Sequence, residues 1–206
     1  GIPHALLLRA PGGESPAITP DLDWSRFPVR EMARRGWLPT VDGIRDRAEE
    51  VMLSFVESAG GLEAVPSPLL RQGMAGRLND RADRYAVSAW CMRVTALARR
   101  IRLETPFVQR SLAPAVLIDV ARLSFFENGP LLAREFLMKH GIHLVVVPHL
   151  ARTYLDGGAF LLPDGSAIVG LTLRHDRLDN FWFSLLHELA HLARHLSHEC
   201  PLIVDD

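Results

Sequence analysis

The chain has 206 residues, 23 Lys and Arg against 24 Asp and Glu, and a formal net charge of −1. That length holds one large domain or two small ones with a real core, and the near-neutral balance removes any bulk electrostatic case for a nucleic-acid or membrane partner. Two cysteines, Cys91 and Cys200, make no disulfide framework, and no apolar run approaches the ~20 residues of a spanning helix. The opening GIPHALLLRAPGG has one basic residue, placed after its apolar run, which is not the order of a signal peptide. A cytoplasmic protein in a reducing compartment is the expectation.

Residues 1–23 are rich in Pro and Gly turns and read as a linker or arm. A helical region follows over residues 24–138. Ser25 to Trp37 has helical periodicity and stops at Gly36, and Ile44 to Ala59 carries Val51, Met52, Phe55 and Val56 on one face. Asp80 to Leu103 reads as one long helix. Around it lie Arg71, Arg77, Arg81, Arg84, Arg93, Arg99, Arg100 and Arg102. A phosphate-binding face is one reading of these arginines; a solvated face whose long stems cover apolar surface is the simpler one, because no aromatics interleave. Ala113 to Phe126 and Gly129 to His140 are two further amphipathic helices, the second closed by Gly141.

The period then changes. Ile142 to Val147 is short and β-branched, Gly158 to Leu162 and Ala167 to Leu173 are two more strands, and Pro163-Asp164-Gly165 is a turn. Helices first, then strands, then a last helix describe an α+β fold: a mainly helical N-terminal part and a small, about three-stranded sheet against a metal-binding helix.

That helix is FWFSLLHELAHLARH, Phe181 to His195, free of Gly and Pro, with Asp179 or Asn180 placed to cap it. Apolar residues on nearly every side predict that it is buried. Inside it His187-Glu188-Leu189-Ala190-His191 matches H-E-x-x-H. Histidines four apart on a helix differ by ~40° in azimuth and ~6 Å in height, so both imidazoles reach one metal ion. Glu188 is one step round, in reach of a reacting water as general base. A structural His/Glu cluster is the plain alternative, but buried imidazoles and a carboxylate need partners, and a metal ion supplies them.

Around the motif, Arg174, His175, Tyr154 and Asp179 are candidates for orienting the ligands or binding substrate; local ion pairs and a helix cap are the bland account. The strand Ala167 to Leu173 would suit an extended substrate if it formed a sheet edge. His4, His140, His143 and His149 read as surface or half-buried side chains, and Trp90 and Trp182 as core.

The stretch HGIHLVVVPHLARTYLDGGAF followed by AIVGLTLRHDRLDNFWFSLLHELAHLARH resembles the ImmA/IrrE family of metallopeptidases, and DWSRFPVREMARRGWL is similar to the segment linking a helix-turn-helix to that domain in the XRE-type, HigA-like branch. The resemblance implies a cytoplasmic, zinc-dependent peptidase acting on helix-turn-helix repressors, with roles in stress response or mobile-element and toxin–antitoxin control. It implies His187 and His191 as ligands of one Zn2+ per chain and Glu188 as general base. The family's third protein ligand is an acidic residue on a later helix, so the expectation places it beyond residue 206 and residues 139–206 become a metallopeptidase-like core cut short at its C-terminus. Within the chain, His195 lies ~12 Å along the helix from His187, too far for the same ion. His198, Glu199, Cys200, Asp205 and Asp206 reach it only if the helix ends near Leu196. DNA binding is expected only through a helix-turn-helix that this stretch lacks. The other function class is a non-proteolytic regulatory or antitoxin-type module of a transcriptional regulator with an incomplete metal site.

Overall fold

The computed structural model describes residues 22–67, 69, 80–197 and 199–205. Most of the expected arm, together with His4, Arg71, Arg77, His198 and Asp206, lies outside the described residues. A 3-10 turn at Trp24–Arg26 leads into α1, Val29–Arg34, and α2, Ala48–Ser58. Then come α3, Arg84–Ala98, α4, Pro114–Arg122, and α5, Gly129–Lys139. The strands β1, Ile142–Val146, β2, Gly157–Leu161, and β3, Ala167–Leu171, precede α6, Leu178–Arg194, and a closing β4, Leu202–Asp205. The fold is α+β.

The sheet has four strands in the order β1-β3-β2-β4, where the sequence suggests about three. β1 and β3 are parallel; β2 is antiparallel to both β3 and β4. The segment after α6 is short, but Leu202, Ile203 and Val204 are almost fully buried, and their alternation supplies both faces of a strand. This order also overturns one functional expectation. β3 pairs with β1 on one side and β2 on the other over Ala167–Leu171, so this part of the expected Ala167–Leu173 strand is not an edge open to a substrate. The edges are β1 and β4.

Each face of the sheet carries its own core. On one side α1, α2 and α3 pack with Val147, Phe160, Ile168, Leu202 and Val204. On the other, α4, α5 and α6 pack with Ile142, Leu144, Ala159, Val169 and Ile203. The helical region and the strand region therefore share both cores.

α3 is buried along nearly its whole length, from Tyr85 to Ala98, and Trp90 at its centre donates from Nε1 to the carbonyl of Val147 at 3.0 Å. That burial rearranges the arginines. α3 ends at Ala98, so Arg99, Arg100 and Arg102 follow it rather than line it, and only Arg84 and Arg93 lie on the helix. Arg93 stacks its guanidinium 5.8 Å from the Trp37 ring centroid, and Arg99 pairs with Asp164 at 3.6 Å. Among the described residues these arginines do not form a single helix face. Cys91 is buried and Cys200 half-buried, both as free thiols.

Candidate metal centre

α6 follows an extended Arg177 that serves as its N-cap without a side-chain bond. Asp179, expected with Asn180 as the cap, lies inside the first turn, where its carboxylate takes Nε of Arg177 at 2.9 Å. Here the short-range ion pair competes with capping and wins. The helix buries Phe181, Trp182, Leu185, Leu189 and Leu192 in one stripe, at the three-and-four spacing of a core-facing helix. Its other side is open: Phe183 is 72% exposed and Leu178 53%, so α6 is amphipathic rather than buried on every side. The carbonyl of Leu192 in its last turn and that of Leu196 just past its end accept from Nε2 of Gln109 at 3.0 and 3.1 Å, which satisfies groups that a helix end leaves unpaired.

Glu188 falls on the buried stripe, with 1% of its surface exposed, while His187 and His191 flank it at the helix margin. The two imidazoles point at one another, Nε2 to Nε2 at 3.0 Å. Asp205 completes the group. Its Oδ2 lies 2.8 Å from His191 Nε2 and 3.5 Å from His187 Nε2. These three residues are the one group of metal-ligating type found among the described residues. The expectation looked for the third protein ligand beyond residue 206; a carboxylate already stands at the site inside the chain.

Strand alternation puts it there. Leu202 and Val204 turn to the α1–α3 side, so Ile203 and Asp205 turn to the α6 side. β4 is pinned in that register by Gly157↔Asp205 and by the amide of Asp156 donating to the Asp205 carbonyl at 2.9 Å. A signal existed in the sequence: a proline followed by Leu-Ile-Val and an acid reads as a short edge strand that carries its acid on the Ile203 face.

The donor set fits a divalent cation. Two imidazole nitrogens and a carboxylate oxygen are the ligand types of a catalytic zinc site with an open position. In a tetrahedral site with bonds of about 2.0–2.1 Å, ligand atoms lie roughly 3.3 Å apart. The observed edges of 3.0, 2.8 and 3.5 Å bracket that spacing. Glu188 Oε2 is buried without a hydrogen-bond partner, an arrangement that costs free energy unless something else compensates it, whereas Asp205 Oδ2 has the His191 imidazole at 2.8 Å. His195, just past the helix end, sits outside the triangle and touches the far nitrogen of His191, Nδ1 to Nδ1 at 2.9 Å. When His191 donates that proton, its Nε2 lone pair is left free for an ion.

The electrostatics agree. Burial, followed by the charges of Asp205 and Asp156, pushes Glu188 up to about 9 from its ordinary value near 4.5. Burial lowers His191, against the opposing pull of Asp205, and so favours the neutral imidazole that ligates metal. Without a cation the site gathers carboxylates that repel one another.

The other candidates make contacts of their own. Arg174 lies 5.9 Å from the Tyr154 ring centroid and reaches the Tyr154 carbonyl at 3.5 Å; Tyr154 itself has a positive φ of 53°. The carbonyl of His175 accepts from the amide of Arg177 in the turn before α6. Among the described residues none of Arg174, His175, Tyr154 and Asp179 hydrogen-bonds to a ligand histidine. A residue not foreseen is Gly157, against which the Glu188 carboxylate packs.

No protein-family model, curated protein or solved structure matches this chain.

Proposed function

We propose that this chain carries a zinc-dependent endopeptidase domain of the H-E-x-x-H type, acting on a protein. The observation that supports it is the convergence of His187, His191 and Asp205 on one point beside a buried, unpartnered Glu188. A purely structural cluster would pair its polar atoms with each other; here Asp205 pairs with His191, but Oε2 of the buried Glu188 is left without a hydrogen bond. The resemblance to ImmA/IrrE peptidases points the same way and makes a DNA-binding repressor the favoured substrate.

Zinc, held by these three side chains, would supply a Lewis acid and a water of low pKa. The chain's own residues do the rest. His195 holds His191 in the ligating tautomer. Glu188, buried against Gly157 of β2, would take the proton of the attacking water and return it to the leaving amine. Phe183, exposed and with its ring centroid 6.1 Å from that of His187, gives an extended substrate an apolar surface beside the reacting bond.

The test combines metal content with cleavage of a proteome-derived peptide library. The expected result is zinc near one per chain and cleavage products that vanish in Glu188→Gln while that variant keeps its zinc. Failure to bind zinc, or equal cleavage by Glu188→Gln, would overturn the reading. Zinc binding without any cleavage would favour a regulatory module instead.

A further inference from the structure

We infer that the free edge of β1 is a docking groove for an extended, acid-flanked strand of a partner protein. The groove is at the opposite side of the sheet from Asp205, three strand spacings or ~14 Å away, and does not depend on the peptidase reading.

The main chain supplies the first observation. The amide of Val147 donates to the carbonyl of Leu171 on β3. In a parallel ladder the direction of these groups alternates, so Val145 and Val147 face β3 while Leu144 and Val146 turn their N–H and C=O outward. Those outward groups have no backbone partner among the described residues. An edge of this kind pairs readily with another strand unless something blunts it, and β1 carries neither proline nor charge between Leu144 and Val147.

The walls supply the second. The end of α3 with the turn after it forms one side of a cavity of about 580 Å³, and α5 with Phe181 forms the other. Its mouth is apolar and open: Ile101, Leu131 and Val146 are 37%, 64% and 43% exposed. A strand laid against β1 would hydrogen-bond to Leu144 and Val146 and send alternate side chains to the two walls.

Charge selects the occupant. Arg100 and Arg134 stand exposed on the two walls, neither in an ion pair among the described residues, and no carboxylate lines the cavity. A partner strand of β-branched residues with Glu or Asp at its ends complements this rim. A second copy of the chain is disfavoured, since pairing β1 with β1 would bring Arg100 and Arg134 against their own equivalents.

The probe is a fluorescein-labelled heptapeptide of alternating Val and Thr with Glu at both ends, compared with its Lys-ended counterpart. Anisotropy should show the Glu-ended peptide binding about tenfold tighter, a preference that falls at high salt. Arg134→Glu should reverse the preference. Val146→Pro should abolish binding and leave the fold intact, because a proline is tolerated where an edge amide points to solvent. The Leu144 and Val146 amides should exchange quickly in the free protein and slowly with peptide bound. No binding, equal binding of both peptides, or binding unchanged in Val146→Pro would overturn the proposal. So would a dimer that Val146→Pro dissociates, which would make the occupant a second copy. Slow exchange of both amides in the peptide-free monomer would place one of this chain's own segments there, with the same consequence.

Discussion

A β-carbon on Gly157 would lie 2.7 Å from Oε1 of Glu188, closer than such atoms approach. The glycine on β2 is therefore the floor on which the carboxylate rests, and α6 sits at the height its absent side chain allows. Gly157 also pairs with Asp205 on β4, so one position sets both the carboxylate beside the histidines and the strand that carries the third candidate ligand.

Gly157→Ala should be overpacked. The Glu188 side chain is buried and cannot swing to water, so α6 or β2 must shift, at a cost of about 1–3 kcal/mol. Thermal or urea unfolding measures this. Zinc binding should be weakened less than cleavage, because the ligands move less than the carboxylate in direct contact. Wild-type stability in this variant would show that Glu188 does not rest on the glycine.

Asp205→Asn keeps the shape of the side chain and removes its charge. Loss of orienting partners one step removed from a metal lowers affinity roughly 10–100-fold, and loss of a ligand should exceed that. Zinc titration against a competing chelator checks it; an unchanged affinity would remove Asp205 from the site.

His195→Ala tests the support of His191. Its ring meets His191 Nδ1 at 2.9 Å and is exposed, so the fold should be unaffected. Zinc affinity should fall about tenfold or more through loss of the fixed tautomer. A purely surface histidine would leave it unchanged.

Metal-free stability should fall as pH rises. Glu188 keeps its proton in the folded chain up to about 9 but loses it near 4.5 when unfolded. Between those values the folded state binds more protons than the unfolded state, and stability declines with pH across that window. Glu188→Gln removes the proton exchange and should flatten the slope, raising stability at neutral pH without zinc. Zinc should act in the same direction on the wild type, because a cation beside the carboxylate favours its charged form. Urea titrations at a series of pH values, with and without zinc, read both effects.

How much of this was legible from the residues depends on how far apart the interacting groups lie along the chain. The H-E-x-x-H helix could be read directly, because its periodicity and its four-residue histidine spacing are local. So could the other five helices, near their observed positions, and the first three strands. α1 was read as longer than its Val29–Arg34 span, and the long helix expected to reach Leu103 stops at Ala98. Pro28 stands at the N-cap of α1, and Gly36, with a φ of 68°, follows its end.

The sequence by itself determined the α+β class, the motif helix and two of the three candidate ligands. Only the tertiary structure decided that β4 joins the sheet, that Asp205 faces the histidines, and that Gly157 leaves room for Glu188. It also decided that β3 lies inside the sheet and β1 at its edge. Each of these rests on strand pairing between segments distant in sequence. A shift of one residue in that pairing would turn Asp205 to the opposite face, so its position follows from the register of the folded sheet rather than from any local pattern.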